Sequence, residues 1–150
     1  MQIRTYRPSD LQTLYEIDQA CFPPGVSYSK REIWHFINRR GSRTWIAQEG
    51  NEIAGFLIAS RESKEVGHIV TIDVVEGWRR RGVGGALMDA AEAWAAEEGL
   101  RVLFLETAEE NIAAQRFYAA RNYVKLEKIE NYYGDGTAAW VMGKTVKSGR

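Results

Sequence analysis

The chain has 150 residues, 45% hydrophobic and 27% charged, a balance typical of one globular domain spanning residues 1–150. Its 20 Lys and Arg residues are matched by 20 Asp and Glu residues, and a formal charge of zero argues against a protein that coats nucleic acid or an anionic membrane. The one cysteine, Cys21, excludes an intramolecular disulfide and has no metal-ligand spacing around it, and no signal-peptide pattern or membrane-length apolar run occurs, so we expect a cytoplasmic protein without a metal site.

The first third of the chain predicts one strand and two helices. Residues 9–12 and 29–32 both match the capping box that marks the N-terminus of a helix. Residues 23–25, Pro-Pro-Gly, predict a loop between the helices, because two prolines and a glycine cannot continue a helix. Ile33 and Trp34 belong to the predicted buried face of the second helix. The predicted elements are a strand at 3–6, a helix from 11 to about 21, and a helix from about 30 to Gly41.

The remaining two thirds of the chain predict strands and helices around one sheet. A polar turn at 49–52 between two apolar segments indicates a β-hairpin. Residues 102–106 are nearly all apolar, as in a strand covered on both faces, and the strand–helix–strand unit that ends there predicts a parallel pair. The predicted class is therefore α+β, or mixed α/β. The predicted strands are 44–48, 53–60, 68–75, 102–106, 123–129 and 138–144, and the predicted helices are one that ends at Gly99 and one at 112–120.

The segment between the predicted central strand and the next helix is basic and rich in glycine. Residues 76–85 read Glu-Gly-Trp-Arg-Arg-Arg-Gly-Val-Gly-Gly. The first turn of a helix leaves backbone N–H groups unpaired and carries partial positive charge, glycines let that backbone approach an anion, and arginines add fixed charge. The turn is therefore suited to bind a pyrophosphate. It lacks the Lys-Ser/Thr of the nucleotide P-loop and the third glycine of the dinucleotide fingerprint.

Residues 79–84, Arg-Arg-Arg-Gly-Val-Gly, resemble the acetyl-CoA signature (Gln/Arg)-x-x-Gly-x-(Gly/Ala) of the GNAT superfamily of N-acetyltransferases. The resemblance implies the GNAT fold, a twisted mixed sheet of about six or seven strands with about four helices and a splayed central parallel pair. It also implies acetyl-CoA as the co-substrate, with the diphosphate on the turn and the pantetheine arm along the preceding strand. The implied cofactor-binding residues are Ile72, Asp73, Val74, Arg79, Arg80, Arg81, Gly82, Val83, Gly84 and Gly85.

Aminolysis of a thioester needs a group that takes a proton from the amine and a group that gives one to the thiolate. Glu106 ends the apolar run, where desolvation of a carboxylate is costly unless the group has a function or a partner. The position fits equally well a residue at which the strand ends in solvent. Tyr118 in the next helix has a suitable hydroxyl, although helix aromatics are usually core residues. An unperturbed histidine titrates near neutrality, so His68 is a second candidate base, ranked behind Glu106.

A longer pattern is similar to that of the ribosomal-protein alanine N-acetyltransferases. It consists of Leu105-Glu106-Thr107, Asn111, Ala114, Phe117-Tyr118 and Asn122-Tyr123. The resemblance implies that Glu106 is the general base, that Asn111 contacts CoA, and that Tyr118 contacts CoA and protonates its thiolate. The residues implied for the wall of the peptide site are Phe22, Tyr132 and Tyr133. The chain departs from the pattern at Gly25-Val26, where those enzymes usually carry Trp.

The leading prediction is an enzyme that acetylates protein or peptide α-amines by direct attack on acetyl-CoA in a ternary complex. A small-molecule acetyltransferase, acting on a polyamine, an amino acid or an aminoglycoside, is the alternative within the same class. A non-catalytic acyl-CoA binding module is the alternative from another class, and the presence of both a candidate base and a candidate acid argues against it. The expected partners are acetyl-CoA and an amine acceptor, without nucleic acid or membrane, for a monomer or homodimer.

Overall fold

The computed structural model describes residues 1–147, which contain seven strands and four α-helices. All seven strands join in one mixed sheet. The strands are β1 (Gln2–Thr5), β2 (Ser42–Glu49), β3 (Glu52–Arg61), β4 (Val66–Val74), β5 (Val102–Ala108), β6 (Val124–Ile129) and β7 (Ala139–Thr145). The helices are α1 (Leu11–Cys21), α2 (Lys30–Asn38), α3 (Val83–Glu97) and α4 (Ile112–Ala120). The sheet order is β1-β2-β3-β4-β5-β7-β6, with β4 and β5 parallel, and the predicted fold class is confirmed.

Each face of the sheet carries its own hydrophobic core. In β3, Phe56 and Ile58 face the core formed with α1 and α2, whereas Leu57 and Ala59 face the core formed with α3. This alternation follows from the two-residue period of a strand. Because both faces of β3 are covered, the middle of the sheet is held rigidly between two layers of helices.

The two predicted capping boxes have different outcomes. The box at α2 is confirmed, because Ser29 Oγ accepts from the Glu32 N–H at 3.1 Å and the Ser29 N–H donates to Glu32 Oε1 at 2.9 Å. The box predicted at 9–12 is wrong. Among residues 1–147 no side chain caps α1, which begins at Leu11 after Asp10. The Asp10 carboxylate accepts instead from the Arg7 N–H at 2.8 Å, in a short 3-10 turn before the helix, and forms a two-bond ion pair with Arg4, at 2.9 and 3.0 Å.

The second helix differs from its prediction in its end and in its buried face. α2 ends at Asn38 rather than at Gly41. Ile33 is fully buried, but Trp34 is 48% exposed. One residue along an α-helix turns the side chain by about 100°, so Ile33 and Trp34 cannot share one narrow buried face. The predicted burial of Trp34 is therefore wrong.

The parallel pair β4–β5 separates after three pairs of residues. The last pair is His68–Phe104, and beyond it β4 continues to Val74 and β5 to Ala108 without pairing to each other. β4 also has a bulge, because its register with β3 skips Val70. The predicted splay of the central strands is confirmed, and it opens a gap in the middle of the sheet.

Candidate active site

A cavity of about 820 Å³ lies in the gap between the diverging strands. The cavity is lined by residues of the β4 edge, the end of β5, the N-terminus of α3, the helix α4, and the loops α1–α2 and β6–β7. Pockets of this size and position are typical sites for a small-molecule substrate or cofactor.

The glycine-rich turn lies at one end of this cavity. Gly82 has a φ of +81° and precedes α3 directly, and no side chain caps the N-terminus of that helix. The first N–H groups of α3 therefore remain available to an anion. Arg80 and Gly84 line the cavity. A Cβ on Gly84 would come within 3.2 Å of the Phe117 ring, so glycine is needed here for α3 and α4 to pack closely.

The three arginines of the turn lie in different surroundings. The Arg79 side chain donates to the Val74 carbonyl at 3.1 Å, and the Arg81 guanidinium lies 5.1 Å from the Trp78 ring centroid. Val83 is buried in the core beside α3. Within the turn, the structure therefore brings Arg79, Arg80 and Gly84 to the cavity, while Val83 and Arg81 face elsewhere.

The edge of β4 forms the wall between the turn and the centre of the cavity. Ile72 and Val74 line the cavity, whereas Asp73 lies opposite Phe56 on the other face of the sheet and is buried. All three residues were predicted to bind the cofactor. The side chain of Asp73 points away from the cavity, so only its backbone belongs to the β4 edge. The side chain has other partners, on α1.

Glu106 lies at the centre of the cavity, where β4 and β5 separate. Its Oε1 is 2.7 Å from His68 Nε2, and the two side chains are 12% and 18% exposed. Glu106 lines the cavity, and His68 lies behind it, stacked on Phe104 with ring centroids 4.4 Å apart. The two residues that the sequence presents as competing bases are thus hydrogen-bonded to each other.

A second carboxylate, Glu62, contacts the other side of the His68 ring. The distance from Glu62 Oε1 to His68 Nδ1 is 3.5 Å. Burial works against ionisation of Glu62, but the hydrogen bond from Ser60 and the charges of Arg39 and His68 lower its pKa below the usual range. The histidine ring is therefore fixed between two acidic groups and a stacked aromatic ring.

Three tyrosines of the two loops, Tyr28, Tyr132 and Tyr133, are close enough to Glu106 for its charge to affect their pKa values. Burial, followed by the charge and the hydrogen bond of Glu106, raises the pKa of Tyr132 to about 12. Burial also raises the pKa of Tyr28 and of Tyr133, and Glu106 adds to both shifts. These shifts keep the phenols protonated as hydrogen-bond donors. Phe22, also predicted for this wall, lines the cavity beside Tyr28 and Tyr133.

Tyr118 reaches the cavity from α4 and is also a core residue. It is 7% exposed and packs against the rings of Phe117 and Tyr123, and it lines the cavity together with Glu106. Burial, and then the charges of Asp73 and Tyr133, raise the pKa of Tyr118. Tyr118 is therefore a core residue that also lines the cavity.

Asn111 lies at the cavity wall and caps α4. Its Oδ1 accepts from the Ala114 N–H at 3.1 Å, which is the hydrogen bond of a helix N-cap. The amide oxygen is thus committed to the fold, and a contact with a ligand falls to the Nδ2 group. Over residues 1–147, no cluster of three His, Cys, Asp or Glu side chains is placed to hold a metal ion, and no helix is long and apolar enough to cross a membrane.

Comparison with known families identifies the family of this chain. The model of the acetyltransferase (GNAT) family matches residues 11–123, which includes the glycine-rich turn, Glu106 and Tyr118. The chain belongs to this family. The GNAT protein is an acetyl-CoA-dependent N-acetyltransferase, so the predictions of superfamily, enzyme class and co-substrate are confirmed. The non-catalytic binding module is thereby excluded.

Curated relatives and solved structures match the GNAT chain over nearly its whole length. An N-alpha-acetyltransferase of Saccharolobus solfataricus is 24% identical, over 95% of this chain and 91% of its own. N-alpha-acetyltransferase daf-31 of Caenorhabditis elegans is 27% identical, over 95% and 81%. The structure of Ard1 from Thermoplasma volcanium superimposes with a TM-score of 0.87 at 29% identity, covering 98% of each chain. The ribosomal-protein-S18-alanine N-acetyltransferase of Escherichia coli, at 22% identity with a TM-score of 0.86 over 99% and 96%, shares the fold.

Two contributors to the site of this GNAT enzyme were not singled out from its sequence. Tyr28 lies directly before the Ser29 cap, and an aromatic residue between a proline-rich loop and a helix cap could have indicated a residue that lines the cavity. Glu62 lies in a polar turn, and no local pattern connects it to His68 six residues later. Its contact depends on the β3–β4 pairing, which brings Ser60 opposite His68.

The cofactor turn yields a prediction for Gly84→Val. The branched side chain will fill the cavity beside the first N–H groups of α3 and press on Phe117, so we expect acetyl-CoA affinity, measured by calorimetry, to fall by at least about tenfold, or 1.4 kcal/mol. Gly77→Val is the matched control, because Gly77 belongs to the same turn and a Cβ there meets no atom within 4 Å. Equal affinities in two folded variants would contradict a phosphate site at Gly84.

Proposed function

We propose that this GNAT enzyme transfers the acetyl group of acetyl-CoA to the α-amine of a peptide or protein N-terminus by direct attack in a ternary complex. The observation that carries the proposal is the Glu106 carboxylate at the centre of the cavity, held by His68 and surrounded by tyrosines from both loops. Relatives named N-alpha-acetyltransferase, aligned over almost the full length of both chains, support the α-amine as acceptor. The balanced charge of the chain supports a peptide over nucleic acid.

Glu106 is the proposed general base. An amine arrives as an ammonium group and has to lose a proton before it can attack the thioester carbonyl. Glu106 faces the cavity, whereas His68 contacts Glu106 from behind, so the carboxylate is the group that meets the ammonium. His68 is the proposed positioning residue that fixes the carboxylate. Attack forms the C–N bond, and collapse breaks the C–S bond and releases the thiolate of CoA.

Tyr118 is the proposed acid for that thiolate. Tyr118 lines the same cavity as Glu106 and belongs to α4, whereas Glu106 belongs to β5. The raised pKa of Tyr118 keeps the phenol protonated, so its hydroxyl can donate a hydrogen bond to the sulfur as negative charge develops there. A base on β5 and an acid on α4 can therefore act on opposite sides of one reacting carbon.

The acceptor side of the cavity supports an end-on substrate. The loops α1–α2 and β6–β7 meet in backbone contact, because the Gly134 N–H donates to the Gly25 carbonyl at 3.0 Å. A Cβ on Gly25 would come within 2.8 Å of Asp135, so the contact depends on glycine. Two loops joined in this way narrow the approach to Glu106, which favours the end of a chain over an amine in the middle of a folded surface.

The acceptor class is tested with a panel of amines. We expect the purified enzyme to acetylate peptides with a free α-amine, and to leave unmodified the same peptides when the α-amine is blocked and an internal lysine is offered. Mass spectrometry of the products locates the acetyl group. Polyamines, free amino acids and aminoglycosides complete the panel, and faster turnover on any of these would assign the enzyme to the small-molecule acceptors.

The proposed base is tested with a double-mutant cycle. Glu106→Gln keeps the size of the side chain and removes its basicity, so we expect kcat to fall by about 10²–10⁴-fold. His68→Ala should cost less, because His68 acts through Glu106, and the double variant should be no slower than Glu106→Gln alone. A larger loss for His68→Ala than for Glu106→Gln would make the histidine the base.

The proposed acid is tested with Tyr118→Phe. The variant keeps the ring and its packing, so we expect acetyl-CoA affinity and Tm near those of the wild type, with kcat at least about tenfold lower because the thiolate leaves unprotonated. The rate should recover with acyl donors whose thiols are more acidic. Tyr123→Phe is the matched control, since it removes a phenol that contacts Glu92 and does not line the cavity. A Tyr118→Phe variant that turns over like the wild type would exclude the hydroxyl as the acid.

A further inference from the structure

Two carboxyl groups are buried against each other on the face of β4 that α1 covers. Asp18 of α1 is 0% exposed and Asp73 of β4 is 1% exposed, and the two carboxyl groups are close enough for each to affect the pKa of the other. One oxygen of each carboxyl has a further donor, because Asp18 Oδ2 accepts from the Tyr28 N–H at 2.7 Å and Asp73 Oδ1 accepts from the Thr71 hydroxyl at 2.6 Å. The other oxygens, Asp18 Oδ1 and Asp73 Oδ2, are buried without a donor among residues 1–147.

These two oxygens are satisfied only if a proton lies between them. An ionised carboxylate accepts hydrogen bonds and donates none, so two ionised groups cannot bond to each other. Two negative charges in contact at a buried site are also costly, and one shared proton removes both costs. Burial raises the pKa of Asp18, and burial together with the hydrogen bond and charge of Asp18 raises the pKa of Asp73 well above its usual value.

The other groups that face the pair do not replace this proton. Glu32 from α2 adds negative charge, and Arg79 adds positive charge but already donates to the Val74 carbonyl. Burial and the charge of Asp73 raise the pKa of the Cys21 thiol to about 11. The remaining neighbours are neutral hydroxyl groups, namely those of Thr71, Tyr28 and Tyr118.

The pair connects the two sides of the proposed reaction. Asp18 holds the backbone of Tyr28, and the Tyr28 side chain lines the cavity close enough to Glu106 for the carboxylate to affect its pKa. Asp73 lies between Ile72 and Val74, whose side chains line the cofactor side of the cavity. A bond between Asp18 and Asp73 thus fixes the acceptor loop to the cofactor strand.

We propose that Asp18 and Asp73 are positioning residues that share one proton, and that this proton holds the acceptor loop against β4. The inference rests on the proposed function in one respect, because it takes Tyr28 as part of the acceptor side. When the proton is lost to solvent at alkaline pH, two like charges remain in contact. Repulsion between them then moves α1 and the Tyr28 backbone away from β4, which weakens acceptor binding.

The kinetic test uses Asp73→Asn. Its amide N–H donates permanently to Asp18 and its carbonyl still accepts from Thr71, so the variant reproduces the protonated pair at every pH. We expect the acceptor KM of the wild type to rise several-fold towards alkaline pH relative to that of Asp73→Asn, with kcat and the acetyl-CoA KM much less affected. Because the same acceptor amine titrates in both assays, its titration does not change the ratio of the two KM values. Asp18→Asn should behave in the same way.

The proton itself is measured without turnover. Infrared spectroscopy of the wild type at neutral pH should show a protonated carboxyl band that is absent from both Asp73→Asn and Asp18→Asn. Unfolding provides a second measurement, because the native state holds one proton more than the unfolded state above pH about 4. Stability is therefore lost as pH rises, and relative to Asp73→Asn the wild-type unfolding constant should increase by up to about tenfold per pH unit until the raised pKa is reached.

Asp10→Asn is the matched control, because Asp10 affects stability with the opposite dependence on pH. The hydrogen bond from Arg4 lowers the pKa of Asp10, so that carboxylate stabilises the fold above pH about 4 and loses its effect as pH falls. This variant should retain the carboxyl band and the alkaline rise in acceptor KM. A wild type without the band would overturn the shared proton. A wild type that acetylates peptides, but whose acceptor KM follows that of Asp73→Asn at all pH values, would overturn the positioning of the loop and leave the proposed function intact.

Discussion

The short pairing between β4 and β5 is the constraint on which the rest of the site depends. Parallel strands bond continuously as long as they stay side by side, and here they do so only as far as His68 and Phe104. Beyond that point the β4 edge lacks a partner strand over a stretch that includes Ile72 and Val74, which is suited to an extended ligand that bonds like an added strand. The same divergence gives Glu106 and Tyr118 access to one cavity, although they belong to a strand and a helix on either side of it.

Charges of opposite sign lie at two places along the cavity. At the turn before α3, unpaired helix N–H groups and Arg80 attract an anionic diphosphate. At the centre of the cavity, Glu106 lies near the tyrosines of the two loops, and in the proposed function its carboxylate attracts a cationic amine. The Arg79 and Arg81 side chains contact the Val74 carbonyl and the Trp78 ring, so both are fixed beside the turn. The positive turn therefore disfavours the amine, and the negative Glu106 disfavours the diphosphate.

Sequence patterns predicted most of the strands and helices well because these depend on local chemistry. The α2 capping box, the break at Gly99 and the helix at 112–120 all follow from residues a few positions apart. The predictions failed where a distant partner decided the outcome. At the start of α1, Asp10 joins the Arg7 backbone and Arg4 of β1 where a Ser9 cap was expected. The β3–β4 register brought Glu62 to His68. The hydrogen bond between His68 and Glu106 likewise depends on the β4–β5 register, so the sequence could present the two only as alternatives.

The loop α1–α2 shows how these long-range contacts act together. Its end is fixed at Tyr28 by Asp18, and its middle is fixed at Gly25 by Gly134 of the opposite loop. Gly25 has a φ of +89° and no room for a Cβ, so a large side chain at this position would separate the loops. The chain therefore cannot carry at Gly25 the tryptophan expected from its resemblance to the ribosomal enzymes. A backbone contact closes the acceptor wall there, and the aromatic surface comes instead from Phe22, Tyr28 and Tyr133.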